Sequence, residues 1–162
     1  MTPTAELLDL PKEYGRATRK LAWATVRAEL ERATQYWIAT SRPDGRAHVV
    51  PLDGLWLDDV WYYGGSEQAV HYRNVLANPD VAMHLPDPMK AVIVEGDARL
   101  AHPSPELAQR LAAAAKAKYG YGQDAGGYRG ALGLYPRTVR AWTAFPNDAT
   151  RFRFAPQPGL PG

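Results

Sequence analysis

Cysteine is missing from this chain of 162 residues, which excludes a thiolate nucleophile, a disulfide framework, an iron–sulfur cluster and a zinc knuckle. Redox chemistry, if the chain performs any, therefore rests on a bound cofactor. No apolar run approaches the ~20 residues that cross a bilayer, and the start, Met1-Thr2-Pro3-Thr4-Ala5-Glu6, has no basic segment followed by an apolar core. A soluble, cytoplasmic protein is expected. With 19 Lys and Arg against 17 Asp and Glu, and the two signs interleaved, no basic block exists to track a phosphate backbone. Neither nucleic acid nor a membrane is an expected partner. His84 and His102 have no carboxylate or thiol cluster at ligand spacing, so no metal site is expected.

What is present reads as one mainly β (α+β) domain. Residues 17–33 place Leu21, Trp23, Val26 and Leu30 along one side of a helix. Aromatic and branched runs predict strands over 36–40, 48–52, 55–57, 60–63, 81–85, 91–100, 131–135, 138–143 and 151–154. Arg42-Pro43-Asp44-Gly45 and Asp58-Asp59 supply turn chemistry between them. Helices are predicted over 66–77 and 105–118. The glycine-rich segment 120–130 lacks the lysine and hydroxyl pair of a nucleotide P-loop and reads as a mobile connection or lid. Hairpin succession with inserted helices predicts an antiparallel β-barrel: an N-terminal arm and helix over 1–34, the barrel over 35–155, and a disordered tail over 156–162.

The most informative stretch is Val60-Trp61-Tyr62-Tyr63-Gly64-Gly65-Ser66-Glu67-Gln68-Ala69-Val70-His71-Tyr72-Arg73-Asn74. A strand runs through two glycines into a helix, which suits an anion: glycines admit close backbone approach, and a helix start leaves N–H donors and a partial positive charge. The same residues also suit an ordinary capped helix, with Ser66 as N-cap, Glu67 in the first turn and Arg73 as a solvated cation. The residues alone leave both readings open.

From Tyr36 to Phe154 the chain resembles the flavin and deazaflavin oxidoreductases of the pyridoxamine 5'-phosphate oxidase-like split β-barrel superfamily. Three collinear motifs carry the resemblance: the hairpin from Ala39 to Pro51, Arg73-Asn74-Val75-Leu76-Ala77-Asn78-Pro79, and Val92-Ile93-Val94-Glu95-Gly96-Asp97-Ala98. The ending, Tyr135-Pro136-Arg137-Thr138-Val139-Arg140-Ala141-Trp142, is similar to the deazaflavin-dependent branch. The resemblance implies a Greek-key-like split barrel, a homodimer with cofactor sites at its interface, and hydride transfer with a small unsaturated or carbonyl-bearing substrate. Coenzyme F420 is the implied cofactor, with FMN as the alternative and a non-catalytic flavin-binding dimer as the third reading. The implied cofactor-binding residues are His48, Val49, Val50 and Pro51 on the ring side, and Tyr63, Gly64, Gly65, His71, Arg73 and Asn74 on the phosphate side. No catalytic side chain is implied. His71 stands where many members place a phosphate-binding lysine, which makes the anchor sensitive to pH.

Overall fold

The computed structural model describes residues 2–120, 122 and 124–156; all but the first residue of the expected tail falls outside them. Nine strands alternate with three helices: β1 (Thr4–Leu7), α1 (Trp23–Arg32), β2 (Tyr36–Ser41), β3 (Ala47–Leu52), β4 (Leu55–Leu57), β5 (Val60–Tyr63), α2 (Val70–Ala77), β6 (Asp80–His84), β7 (Val92–Leu100), α3 (Pro105–Tyr119), β8 (Leu132–Ala141) and β9 (Thr150–Arg153). Every pairing is antiparallel, in the order β1-β9-β8-β7-β6-β2-β3, and the β4–β5 hairpin joins β8 through β5. This is the expected mainly β, antiparallel split barrel with flanking helices.

Local chemistry explains most elements. Gly45 takes a φ of 83° in the β2–β3 turn, and the Asp44 carboxylate accepts the Arg46 N–H at 3.1 Å. Ser104 caps α3 by accepting the Leu107 N–H at 3.2 Å, Pro105 follows it, and Gly120 closes the helix in a left-handed conformation.

Three expectations change. The first helix begins at Trp23, not at residue 17, because Thr18 and Arg19 donate their N–H groups to the Asn147 carbonyl and Leu21 donates to Thr150 Oγ1. Tertiary bonds hold that segment extended. The strands expected over 131–135 and 138–143 are one strand, β8, whose register shifts opposite Glu95 and Gly96, so Pro136, which has no N–H, sits at an irregularity. The N-terminal arm carries a strand, β1, which pairs with β9 and seats Glu6 against Arg151 and Arg153.

The barrel interior is aromatic. Trp61 stacks on Tyr63 with ring centroids 4.3 Å apart and meets Tyr36 at 5.1 Å, while Trp23 packs on Phe152 at 5.2 Å. A second apolar cluster, Leu55, Val60, Tyr62, Leu111 and Ala115, lies between the β4–β5 hairpin and α3. The end of α3 is fastened by polar bonds: Lys118 Nζ donates to the Ala33 carbonyl at 2.8 Å and to the Tyr36 hydroxyl at 3.1 Å, and Tyr119 Oη donates to the Gly54 carbonyl at 2.8 Å. Gly54 has no alternative there, since a Cβ would lie 2.1 Å from Trp61 Nε1. Among the described residues, no helix is long and apolar enough to cross a membrane.

Candidate functional site

All four residues of β5 are buried, and the chain then surfaces at Gly64 and Gly65. Gly65 adopts a φ of 137°, a conformation open to glycine and strained for other residues. A Cβ at Gly65 would lie 3.2 Å from His71 Nε2, whereas one at Gly64 would meet nothing within 4 Å. The expected helix start at Ser66 is corrected by the structure. Residues 66–69 form a turn closed by Ala69 N–H on the Ser66 carbonyl at 2.8 Å, with Ser66 Oγ accepting from Gln68 N–H at 3.2 Å. The helix begins at Val70 with Ala69 as N-cap and no side-chain cap. The Arg73 N–H bonds the Ala69 carbonyl at 3.1 Å, so helix geometry directs the N–H groups of residues 70–72 outward from the α2 start.

His71 sits in that first turn, 5% exposed. Its Nδ1 is buried without a hydrogen-bond partner, as are His48 Nδ1 and Tyr63 Oη. The Tyr63 and His71 rings are 6.2 Å apart. Burial, and then the neighbouring His48, hold the His71 imidazole below its ordinary pKa, while burial, with a smaller contribution from Tyr72, pushes the Tyr63 phenol up. Both groups are therefore neutral at pH 7, and three unsatisfied polar atoms come from β3, β5 and α2. Buried polar atoms ordinarily find partners, and besides these three the described residues leave Trp23, Trp56 and Trp61 Nε1 and Asp59 Oδ1 without one.

The remaining candidates divide. Asn74 is buried and donates through Nδ2 to Thr40 Oγ1 at 2.9 Å, fastening α2 to β2. Thr40, which sequence reasoning passed over, is thus the partner that positions this face of the helix. Arg73 is exposed, and helix geometry sets it about 200° around α2 from His71. On the edge strand β3, His48, Val50 and Leu52 turn inward, while Val49, 50% exposed, and Pro51 face outward.

Beside the glycines lies a cavity of about 820 Å³, walled by the ends of β3 and β5, by α3 and by the 125–130 segment. Tyr62, Tyr63, Tyr72, Tyr119 and Tyr128 line it, with Asp53 and Glu67 as its charged residues. No lysine or arginine is among its described lining residues. Of the 120–130 segment, expected as a mobile connection or lid, residues 125–130 form a short 3-10 turn capped by Asp124 and held by Tyr72 Oη on the Gly130 carbonyl at 3.0 Å. Sequence reasoning missed Tyr72 in α2, Tyr119 at the end of α3 and Tyr128 in the glycine-rich segment, which no local spacing brings together. Among the described residues, no group of three or more His, Cys, Asp or Glu could hold a metal ion.

A family model described as pyridoxamine 5'-phosphate oxidase matches residues 22–143, most of the barrel and the whole of this site. The chain belongs to that family. Solved structures carry the same fold. An F420 reductase is 24% identical, with a TM-score of 0.55 over 70% of this chain and 94% of its own. The FAD binding protein from Mycobacterium smegmatis is 17% identical, with a TM-score of 0.55 over 85% and 100%. The heme storage protein HutZ from Vibrio cholerae is 18% identical, with a TM-score of 0.56 over 70% and 89%. At these identities the likeness establishes the split barrel, and the family's fold serves proteins with different ligands. No curated protein matches the sequence.

Proposed function

We propose that the chain is an oxidoreductase that binds a deazaflavin, coenzyme F420, at the β5–α2 junction. The observation that carries this reading is the unsatisfied cluster of His71 Nδ1, His48 Nδ1 and Tyr63 Oη beside a glycine pair with open space at Gly64. These residues fit a flavin-type cofactor: α2's first-turn N–H groups and His71 hold the phosphate, while the β3 backbone from Val49 to Pro51 takes the ring edge. When bound, the cofactor supplies two-electron hydride chemistry for a small unsaturated or carbonyl-bearing substrate. Tyr63 and His48 orient it through hydrogen bonds, and Asn74 holds α2 in place through Thr40. Arg73 serves a phosphate only through its long side chain reaching around the helix.

The deazaflavin is placed before FMN because the ending from Tyr135 to Trp142 is similar to that of the deazaflavin-dependent branch. The reading includes a homodimer, supported by the outward apolar face of β2 and β3, where Trp37 is 36% and Val49 50% exposed. Titrating the purified protein with F420 and with FMN tests the assignment. Tighter binding of F420 is expected; tighter FMN makes it an FMN oxidoreductase, and binding of a flavin without turnover makes it a carrier.

A further inference from the structure

The 820 Å³ cavity shares Pro51, Tyr63, Gly64 and Gly65 with the proposed cofactor junction and extends past it to tyrosines and carboxylates to which that reading gives no role. Among the described residues, five tyrosines line it, two carboxylates are its charged residues, and no lysine or arginine lies in its wall. The carboxylates act on the cavity's interior. Burial, and then the Glu67 carboxylate, push the Tyr72 phenol up, and Asp53 adds to what burial does to Tyr119. Lys118 lies outside the lining with its ammonium 5.8 Å from the centroid of the Tyr119 ring, where the carbonyls of Ala33 and Gly54 and the Tyr36 hydroxyl hold it. Aromatic faces present negative quadrupole potential, and carboxylates at a pocket's edge reinforce it.

We propose that this cavity is the substrate pocket and that it takes a flat aromatic cation, stacked among Tyr62, Tyr119 and Tyr128 with its charge toward Asp53 and Glu67. The role as substrate pocket rests on the proposed oxidoreductase function; the preference for a cation rests on the cavity alone. Gly64 and Gly65 both line the cavity, and Gly65 also stands against His71. A ligand in the cavity therefore lies against whatever the β5–α2 junction holds. A flat cation is an electron-poor ring that can accept a hydride from the reduced deazaflavin of the proposed function, which is oxidised and releases a proton to solvent, and the transfer neutralises the charge of the ring. The reduced, uncharged product loses its attraction to the two carboxylates and leaves.

Three probes on one skeleton test the preference: N-methylquinolinium, neutral quinoline and quinoline-2-carboxylate, each titrated calorimetrically at pH 8 into the cofactor-free protein. N-methylquinolinium is expected to bind about tenfold tighter than quinoline, and the carboxylate weakest of all. Asp53→Asn combined with Glu67→Gln, both at exposed positions, should bring the cation down to quinoline's affinity and leave quinoline unchanged. Tyr128→Leu should weaken the cation and quinoline together. A cation that binds no tighter than quinoline, or a preference that survives the double substitution, overturns the proposal. Flavin titrations of the same sample read separately: a cation preference without any flavin binding keeps the pocket and removes its role in redox chemistry.

Discussion

A side chain at Gly65 would crowd His71: the added Cβ stands 3.2 Å from Nε2 and 3.3 Å from Cε1 of the imidazole, and the backbone there holds φ at 137°. Gly64 is unlike it, with open space where its Cβ would be. Gly65→Val should therefore destabilise the fold by about 1–3 kcal/mol through backbone strain and displacement of His71. Gly64→Val should leave stability within about 0.5 kcal/mol and still weaken F420 at least tenfold, by filling the open space. Denaturant unfolding and cofactor titration of the two variants check this, and equal behaviour of both would count against the placement of the site.

Cofactor affinity should depend on pH through His71. Its imidazole is neutral in the free protein because burial, and then His48, lower its pKa. A bound phosphate raises that pKa, so binding takes up a proton and affinity falls as pH rises through the bound-state value. His71→Lys should flatten the profile between pH 6.5 and 8.5, windows set by about the ordinary histidine value, and tighten binding most at the alkaline end. Identical profiles for the two proteins would remove His71 from the phosphate.

Lys118 gives a second pH dependence, in stability. Burial lowers its pKa to about 8, against an ordinary 10.5. The folded state thus disfavours the ammonium, and linkage makes this contribution full above the unfolded value and lost as pH falls through about 8. Wild type should gain stability relative to Lys118→Met between pH 7.5 and about 9.5, below the range where tyrosines titrate. At neutral pH the variant also loses the bonds to Ala33 and Tyr36, at a cost of about 1–3 kcal/mol. Unfolding curves at several pH values measure both effects.

Tyr72 should act on the cavity wall at a distance from the chemistry. Its hydroxyl donates to the Gly130 carbonyl at 3.0 Å, and Tyr72→Phe removes this tie while leaving the ring in the core. Hydrogen exchange over 124–131 should rise, with global stability lower by about 1 kcal/mol. Exchange unchanged in that segment would mean that Asp124 and the 3-10 turn hold it without help.

Oligomeric state should respond to the outer face of β2 and β3. Val49 lies opposite Ala39, and Trp37 opposite Pro51, all on the outward side of the edge hairpin. Val49→Lys places a charge in the centre of that face and should convert a dimer to a folded monomer by sedimentation. A wild type already monomeric at micromolar concentration would remove the dimer from the reading.

Much of the barrel was legible because alternation and turn chemistry are local. The β2–β3 hairpin follows from aromatic and branched residues around Pro43-Asp44-Gly45, and α3 from Ser104, Pro105 and Gly120 at its ends. The site was legible in outline, since a glycine pair between a buried strand and a helix needs no tertiary contact to be noticed. The helix start was not legible. Ser66 and Glu67 carry better capping chemistry than Ala69, yet the turn over 66–69 and the conformation of Gly65 move the start to Val70, and neither is written in propensity.

The sequence by itself determined the strand and helix content, the absence of thiol chemistry, and the family's order of motifs, because each depends on residue type and short-range spacing. The tertiary structure alone decided that His71 is buried and neutral, and that tyrosines from β5, α2, α3 and the 125–130 segment meet around one cavity. Burial and charge are properties of what surrounds a side chain, and those surroundings come from residues far apart in the chain.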